Sequence, residues 1–228
     1  MERHLAWLHA QCSGDWVLRL DDDEVPSAAL IARLPALLAT RDVLQYWIPR
    51  AWLFPDAGSV LEDAPWSPDF HNRLVRNDAR LRFPGAPHSG AAPDHPSEYL
   101  EEPIYHLELL TSGVEHRRDR VIRYEVTAPR LIAAGGGRLN EAFYLPELRA
   151  ALRTRPAPAA DRALVERAVR VTGTVAALAA FDTPLITADE MDRHWARRTV
   201  PPERAGEPFP GAYAVHHWAS SWKRELAE

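Results

Sequence analysis

The stretch GDWVLRLDDDEVP at residues 14–26 is an apolar run that ends in four consecutive acids, Asp21, Asp22, Asp23 and Glu24. Residues 16–20, short and rich in β-formers, are predicted as a buried strand. Acids this close repel one another, and the repulsion is relieved when the side chains fan into water or share a cation. Asp and Glu also favour the first turn of a following helix. Three aspartates in a row exceed what that preference requires. Asp21 and Asp23 stand two apart at a strand end, the place where open α/β sheets bind ligands. That spacing suits one Mg²⁺ or Mn²⁺, hard cations that take oxygen ligands and keep sites open for phosphate.

The pattern on either side predicts an α/β domain. A helix is expected over residues 4–11, closed by Ser13-Gly14, and another from Ser27, its N-cap, through Leu30, Leu34 and Leu37. Residues 43–54, VLQYWIPRAWLF, read as a second strand, and strand, acidic turn, helix, strand is an α/β order. RLVRN and ARLRF, joined by Asn77-Asp78, read as a β-hairpin. A Pro-, Gly- and Ala-rich loop follows at 84–99, of a length that is often functional. PIYHLELL at 103–110 reads as a buried strand and residues 113–134 as a basic helix, broken by Gly at 135–137. The expected domain boundaries are 1–152, a linker RTRPAPAADR at 153–162, and a helical extension at 163–228. That extension carries a helix from about Ala163 to Ala180, a capping box at Thr187-Ala188-Asp189-Glu190 and a tail rich in His and Trp.

The net charge of −5 argues against a nucleic-acid partner. Cys12 is the single cysteine, so neither an intrachain disulfide nor a cysteine zinc site is available, which fits a reducing, cytoplasmic compartment. The most apolar run, residues 172–181, is too short to span a bilayer, and peripheral contact with a membrane surface stays open.

Four blocks in order carry a resemblance over residues 1–130: GDWVLRLDDDEV, RLVRNDARLRFPGAPHSG, PIYHLELL and HRRDRVIRYE. They resemble the family 2 glycosyltransferases, whose DxD motif ends a central strand of the GT-A fold. The ending YAVHHWASSW is similar to that of several DxD-containing sugar transferases, in which a late histidine completes the metal site. The resemblance implies a GT-A-like, Rossmann-like mixed sheet flanked by helices. It also implies a sheet truncated on its N-terminal side, because the family's nucleotide-recognition strands precede the acidic strand and here only residues 1–15 do.

The chemistry so implied is transfer of a sugar, with inversion, from a nucleotide-sugar donor to a hydroxyl on a saccharide or lipid-linked acceptor, assisted by Mn²⁺ or Mg²⁺. Asp23 would bind the metal, Asp21 would reach the ribose or the metal, and His216 would be the third ligand, ahead of His217. An inverting enzyme needs a base for the acceptor proton. Where the family has His followed by Glu, this chain has His88 followed by Ser89, so His88 or Asp94 is the candidate, with Glu98 beyond. Asp22, Trp66, Arg73 and Arg82 are the candidate substrate-binding residues: the arginines for diphosphate or an anionic acceptor, Trp66 for stacking on a sugar ring. The non-functional alternatives are solvated arginines, a Trp66 that covers the core, and a His/Trp tail that packs as an aromatic cluster.

Overall fold

A computed structural model describes residues 5–83, 90–92, 94–127, 139–180 and 214–217. His88, the glycines at 135–137 and the capping box at 187–190 lie outside the described residues.

The chain is α/β, with a mixed sheet and packed helices. Helix α1 (Leu5–Ala10) precedes strand β1 (Trp16–Asp21), which leads through the acidic turn into β2 (Glu24–Pro26) and helix α2 (Ala28–Leu38). Strands β3 (Gln45–Trp52), β4 (Ser59–Leu61), β5 (Phe70–Arg76), β6 (Ser97–Tyr99) and β7 (Ile104–His106) follow. Helices α3 (Glu108–Thr111), α4 (Val114–Thr127) and α5 (Leu139–Tyr144), strand β8 (Thr154–Pro156), helix α6 (Ala159–Ala180) and strand β9 (Ala214–His217) complete the order.

The main sheet runs β2-β7-β3-β5-β1-β9, with β6 also on β3. Strand β1 lies between antiparallel β5 and parallel β9, in the register Leu20 to His216 and Asp21 to His217. Strand β3 is antiparallel to β5 and parallel to β6 and β7. The acidic turn therefore opens at the end of an interior strand of the described sheet.

Ser27 caps α2 as its position predicts, accepting from the Leu30 amide at 3.1 Å. At the other end, two terminal carbonyls that a helix leaves unpaired are satisfied by sheet aromatics. Trp16 Nε1 donates to Leu38 O at 3.0 Å, and Tyr46 Oη donates to Leu37 O at 3.1 Å. Leu30 and Leu37 pack beneath on Trp16, Tyr46, Ile48 and Leu74, which fixes α2 across the strands and aims the turn before it.

The expected hairpin over residues 73–83 does not form. Strand β5 instead pairs with β1 and β3, and the chain leaves the sheet at Asn77, whose amide donates to Asp15 O at 2.7 Å. Asp78 accepts from the Arg80 amide at 2.8 Å, and this side-chain turn directs Leu81 and Phe83 onto Cys12, Val17 and Val75.

Residues 153–162 are structured rather than a free linker. Strand β8 pairs antiparallel with β4, a small two-stranded edge that tolerates Pro156, and α6 begins at Ala159 just after Pro158. Buried Asp161 accepts from the Ala28 amide and from Tyr105 Oη, each at 2.7 Å, and Val165 is fully buried against Leu53, Val60 and Tyr105. Composition misled here because breaker content reports local propensity and not the tertiary surface that the segment meets. Residues 107–110 likewise leave the expected strand, which ends at His106, and enter α3. No helix among the described residues is long and apolar enough to cross a membrane.

Candidate active site

The acidic turn converges with β3, β5, β7, α3 and α4 into a buried polar network. Asp21 ends β1 and Glu24 starts β2, and the turn is closed by the Asp21 amide donating to Glu24 Oε2 at 3.0 Å. Arg73, on β5 beside β1, donates through Nη2 to both Asp21 Oδ2 and Glu24 Oε1. The Arg73 and Glu24 side chains are 5% and 0% exposed, and that of Asp21 is 33% exposed. Two adjacent carboxylates so near one guanidinium hold its pKa above the ordinary arginine value, although burial alone would lower it.

Asp23 points the other way, with Oδ2 at 3.3 Å from His106 Nε2, and its backbone carbonyl accepts from the Leu107 amide at 2.7 Å. Burial, then the negative charges of Glu108, Glu24, Asp22 and Asp21, push its carboxyl well above the usual range. His106 is pushed well below the usual imidazole range, first by burial and then by Arg50. Both directions disfavour the charged pair, Asp23 carboxylate with His106 imidazolium. Trp52 covers the imidazole, with ring centroids 4.1 Å apart.

Beyond His106 the network continues. Glu108 Oε2 pairs with Arg120 Nη1 of α4 at 2.6 Å. Asp69 accepts from Arg50 Nε and Trp52 Nε1 at 2.8 Å each and sits 3.0 Å from His71 Nε2. His71 is held to a pKa of about 4 by burial and by Arg50, which outweigh the opposing hydrogen bond to Asp69. Arg50 Nη1 lies 4.0 Å from Glu24 Oε1, so the two halves of the network meet there. The carboxyls of Asp21, Asp23, Glu24, Asp69 and Glu108 outnumber the guanidiniums of Arg50, Arg73 and Arg120. After burial, that excess of negative charge is what raises the Asp23 carboxyl. His106 Nδ1 and Glu108 Oε1 are buried without a hydrogen-bond partner among the described residues.

Asp21 and Asp23 thus have the hard oxygen donors suited to Mg²⁺ or Mn²⁺, but Arg73 occupies the first and His106 faces the second. Among the described residues no group of three or more His, Cys, Asp or Glu side chains is arranged to hold a metal ion. The register sets His217 beside Asp21 and His216 beside Leu20.

The other expected residues divide. Asp22 is exposed at the turn. Arg73 does not stand open to a diphosphate but is the internal counter-charge of the acids. Trp66 is not a stacking platform: it is fully buried, donates Nε1–H to Phe143 O at 2.9 Å, and packs in the cluster of Trp52, Leu61 and Leu109. A tryptophan flanked by prolines reads as exposed only when the strand and helix that cover it are out of view. Arg82 and Asp94 pair with each other in the open, each 64% exposed, and that contact lowers the Asp94 carboxyl below its ordinary value, which weakens it as a base.

The sequence reading passed over Arg50, Asp69, His71, His106 and Glu108. A usable signal was present, since PIYHLELL sets a histidine and a glutamate two apart in an apolar run, and isolated buried polar residues of that kind need partners. Comparison of the chain with known protein families, with curated proteins and with solved structures finds no match.

Proposed function

We propose that the chain is a metal-assisted glycosyltransferase of GT-A-like fold, which moves a sugar with inversion from a nucleotide-diphosphate donor to a hydroxyl acceptor. The observation that carries this reading is the acidic turn at the end of β1, where the carboxyls of Asp21, Asp23, Glu24, Asp69 and Glu108 outnumber the guanidiniums of Arg50, Arg73 and Arg120. A divalent cation supplies that missing charge and, when bound, neutralises a departing diphosphate. Asp21 and Asp23 would hold it. Asp23 would hold it as the carboxylate, and Arg73 would remain the partner of Glu24. His106 and Trp52 wall the inner side of the turn and exclude water from it.

Titration calorimetry of the full chain with Mn²⁺, UDP and GDP tests this. The expected outcome is nucleotide binding that requires Mn²⁺ and is lost in Asp23→Ala. A folded protein that binds neither nucleotide sinks the reading.

One observation favours a second reading. Arg73 already stands where a cation would neutralise Asp21, which suits a saccharide-binding protein that transfers nothing. Its signature is saccharide binding with no effect of Mn²⁺ or nucleotide.

A further inference from the structure

Helix α2 departs from the rule that a surface helix turns a polar face to water. Leu30 and Leu37 pack into the core, while Ile31, Pro35 and Leu38, at i, i+4 and i+7, form one stripe on the outer side. Ile31 and Leu38 are 49% and 38% exposed. Ala29, Ala32 and Ala36 are exposed beside that stripe, and Arg33 is the single polar side chain among the exposed positions of the helix. A helix that is apolar on its outer face as well as its inner one is normally covered.

Two further features say what covers it. Pro35 has no N–H, so the Ile31 carbonyl lacks the helical donor four residues on, and that acceptor points toward exposed Pro35. A partner seated there brings a donor. Arg33, on the far edge of the alanine floor, is held by Glu102 at 2.8 and 2.7 Å. The hydrogen bond from Glu102, and then the charges of Glu102, Glu98 and Glu101, raise the guanidinium above its ordinary pKa, so three carboxylates stand around one cation. Glu98 and Glu101 are exposed, and this rim of the face therefore carries a surplus of negative charge.

We propose that the outer face of α2 docks an amphipathic helix of another protein, one that carries Lys or Arg beside its apolar stripe. The apolar side chains of that helix lie on the alanine floor against Ile31 and Leu38, one basic group donates to the Ile31 carbonyl, and others face Glu98 and Glu101. A second copy of the chain fits less well, because an α2–α2 crossing sets the acidic rim against itself and like charges across an interface cost affinity. An anionic membrane surface is repelled by the same rim. Docking of this kind is independent of glycosyl transfer.

The test is fluorescence anisotropy of a dye-labelled Leu/Lys amphipathic peptide of about 18 residues, long enough to hold a helix, titrated with the full chain. A peptide of the same pattern with Glu in place of Lys is the control. The Leu/Lys peptide should bind, more weakly as salt rises, and the Leu/Glu peptide should not. The double variant Ile31→Gln/Leu38→Gln, at exposed positions, should weaken binding roughly tenfold with the unfolding midpoint little changed. Glu98→Gln/Glu101→Gln should weaken it roughly three- to tenfold and flatten the salt dependence. Pro35→Ala, which returns a donor to the Ile31 carbonyl, should raise the unfolding midpoint and yet weaken the peptide, a combination that a merely structural proline does not give. Binding of neither peptide, binding of both, or equal binding by Ile31→Gln/Leu38→Gln overturns the proposal. So does sedimentation of the full chain as a dimer that the same double variant dissolves, which gives the face to a second copy. Flotation with phosphatidylserine vesicles that this variant abolishes also overturns it and gives the face to a membrane.

Discussion

One nitrogen of Arg73, Nη2, donates to Asp21 on one strand and to Glu24 on the next, and the guanidinium so shared is almost wholly buried. The turn between the two acids is therefore closed around a positive charge that the protein supplies itself. Breaking a buried pair by removing one partner costs about 3–5 kcal/mol, since the remaining charge stays desolvated.

Arg73→Met is expected to lose about that much stability in urea unfolding, and Mn²⁺ should restore part of it because the cation then has Asp21 and Glu24 to itself. The measurement is the unfolding midpoint with and without Mn²⁺. Equal midpoints in both conditions would show that the turn does not take a cation even when vacated.

Asp23 titrates in the opposite sense to an ordinary ion-paired carboxylate. Its folded pKa is raised above 3.8, so between that value and the raised one the native state binds more protons than the unfolded state, and stability falls as pH rises through the window. Asp23→Asn removes the ionisation. The variant should gain stability relative to the parent as pH rises from 4 to 8, with the smallest difference at the acid end, while losing Mn²⁺-dependent nucleotide binding. Chemical denaturation across that pH range reads the slope, and a parent and variant that run parallel would remove the proton from Asp23.

His71 acts at lower pH. With a folded pKa of about 4 against 6.5, the unfolded chain takes up the proton first, so stability is full above pH 6.5 and is lost as pH falls toward 4. The loss attributable to this group is on the order of 3 kcal/mol. His71→Asn should be less stable than the parent at pH 7 but should show a shallower acid slope between pH 6.5 and 4, which thermal unfolding at fixed ionic strength resolves.

Asp161 joins α6 to the start of α2 and to Tyr105. Asp161→Ala leaves a buried hydroxyl and an amide without their acceptor, each costing about 1–3 kcal/mol. If α6 belongs to the same cooperative unit as the sheet, the whole unfolding transition moves to lower denaturant as one step. Two transitions, with the sheet's midpoint unchanged, would return α6 to a separate extension.

The strand–acidic turn–helix unit was readable because each part carries a local signal. Trp16 to Leu20 are β-formers, Ser27 is an N-cap, and Leu30 and Leu37 recur at helical spacing. The expectations of a hairpin over 73–83 and a linker over 153–162 fail for one reason: the partners of these segments are distant in sequence. Asn77 closes on Asp15 and Cys12, and Asp161 on Ala28 and Tyr105, contacts that no window of neighbouring residues contains.

The sequence alone determined that four acids stand at the end of a buried strand before a capped helix, since strand propensity, charge and capping are properties of adjacent residues. Only the tertiary structure decided what those acids meet. Arg73 reaches Asp21 across 52 residues of chain, and His106 comes to Asp23 because β7 pairs with β2. Tertiary packing likewise buries Trp66 against Trp52, Leu61 and Leu109 and leaves Tyr99 exposed, a division between two aromatics that depends on which elements cover each ring and not on the residues beside it.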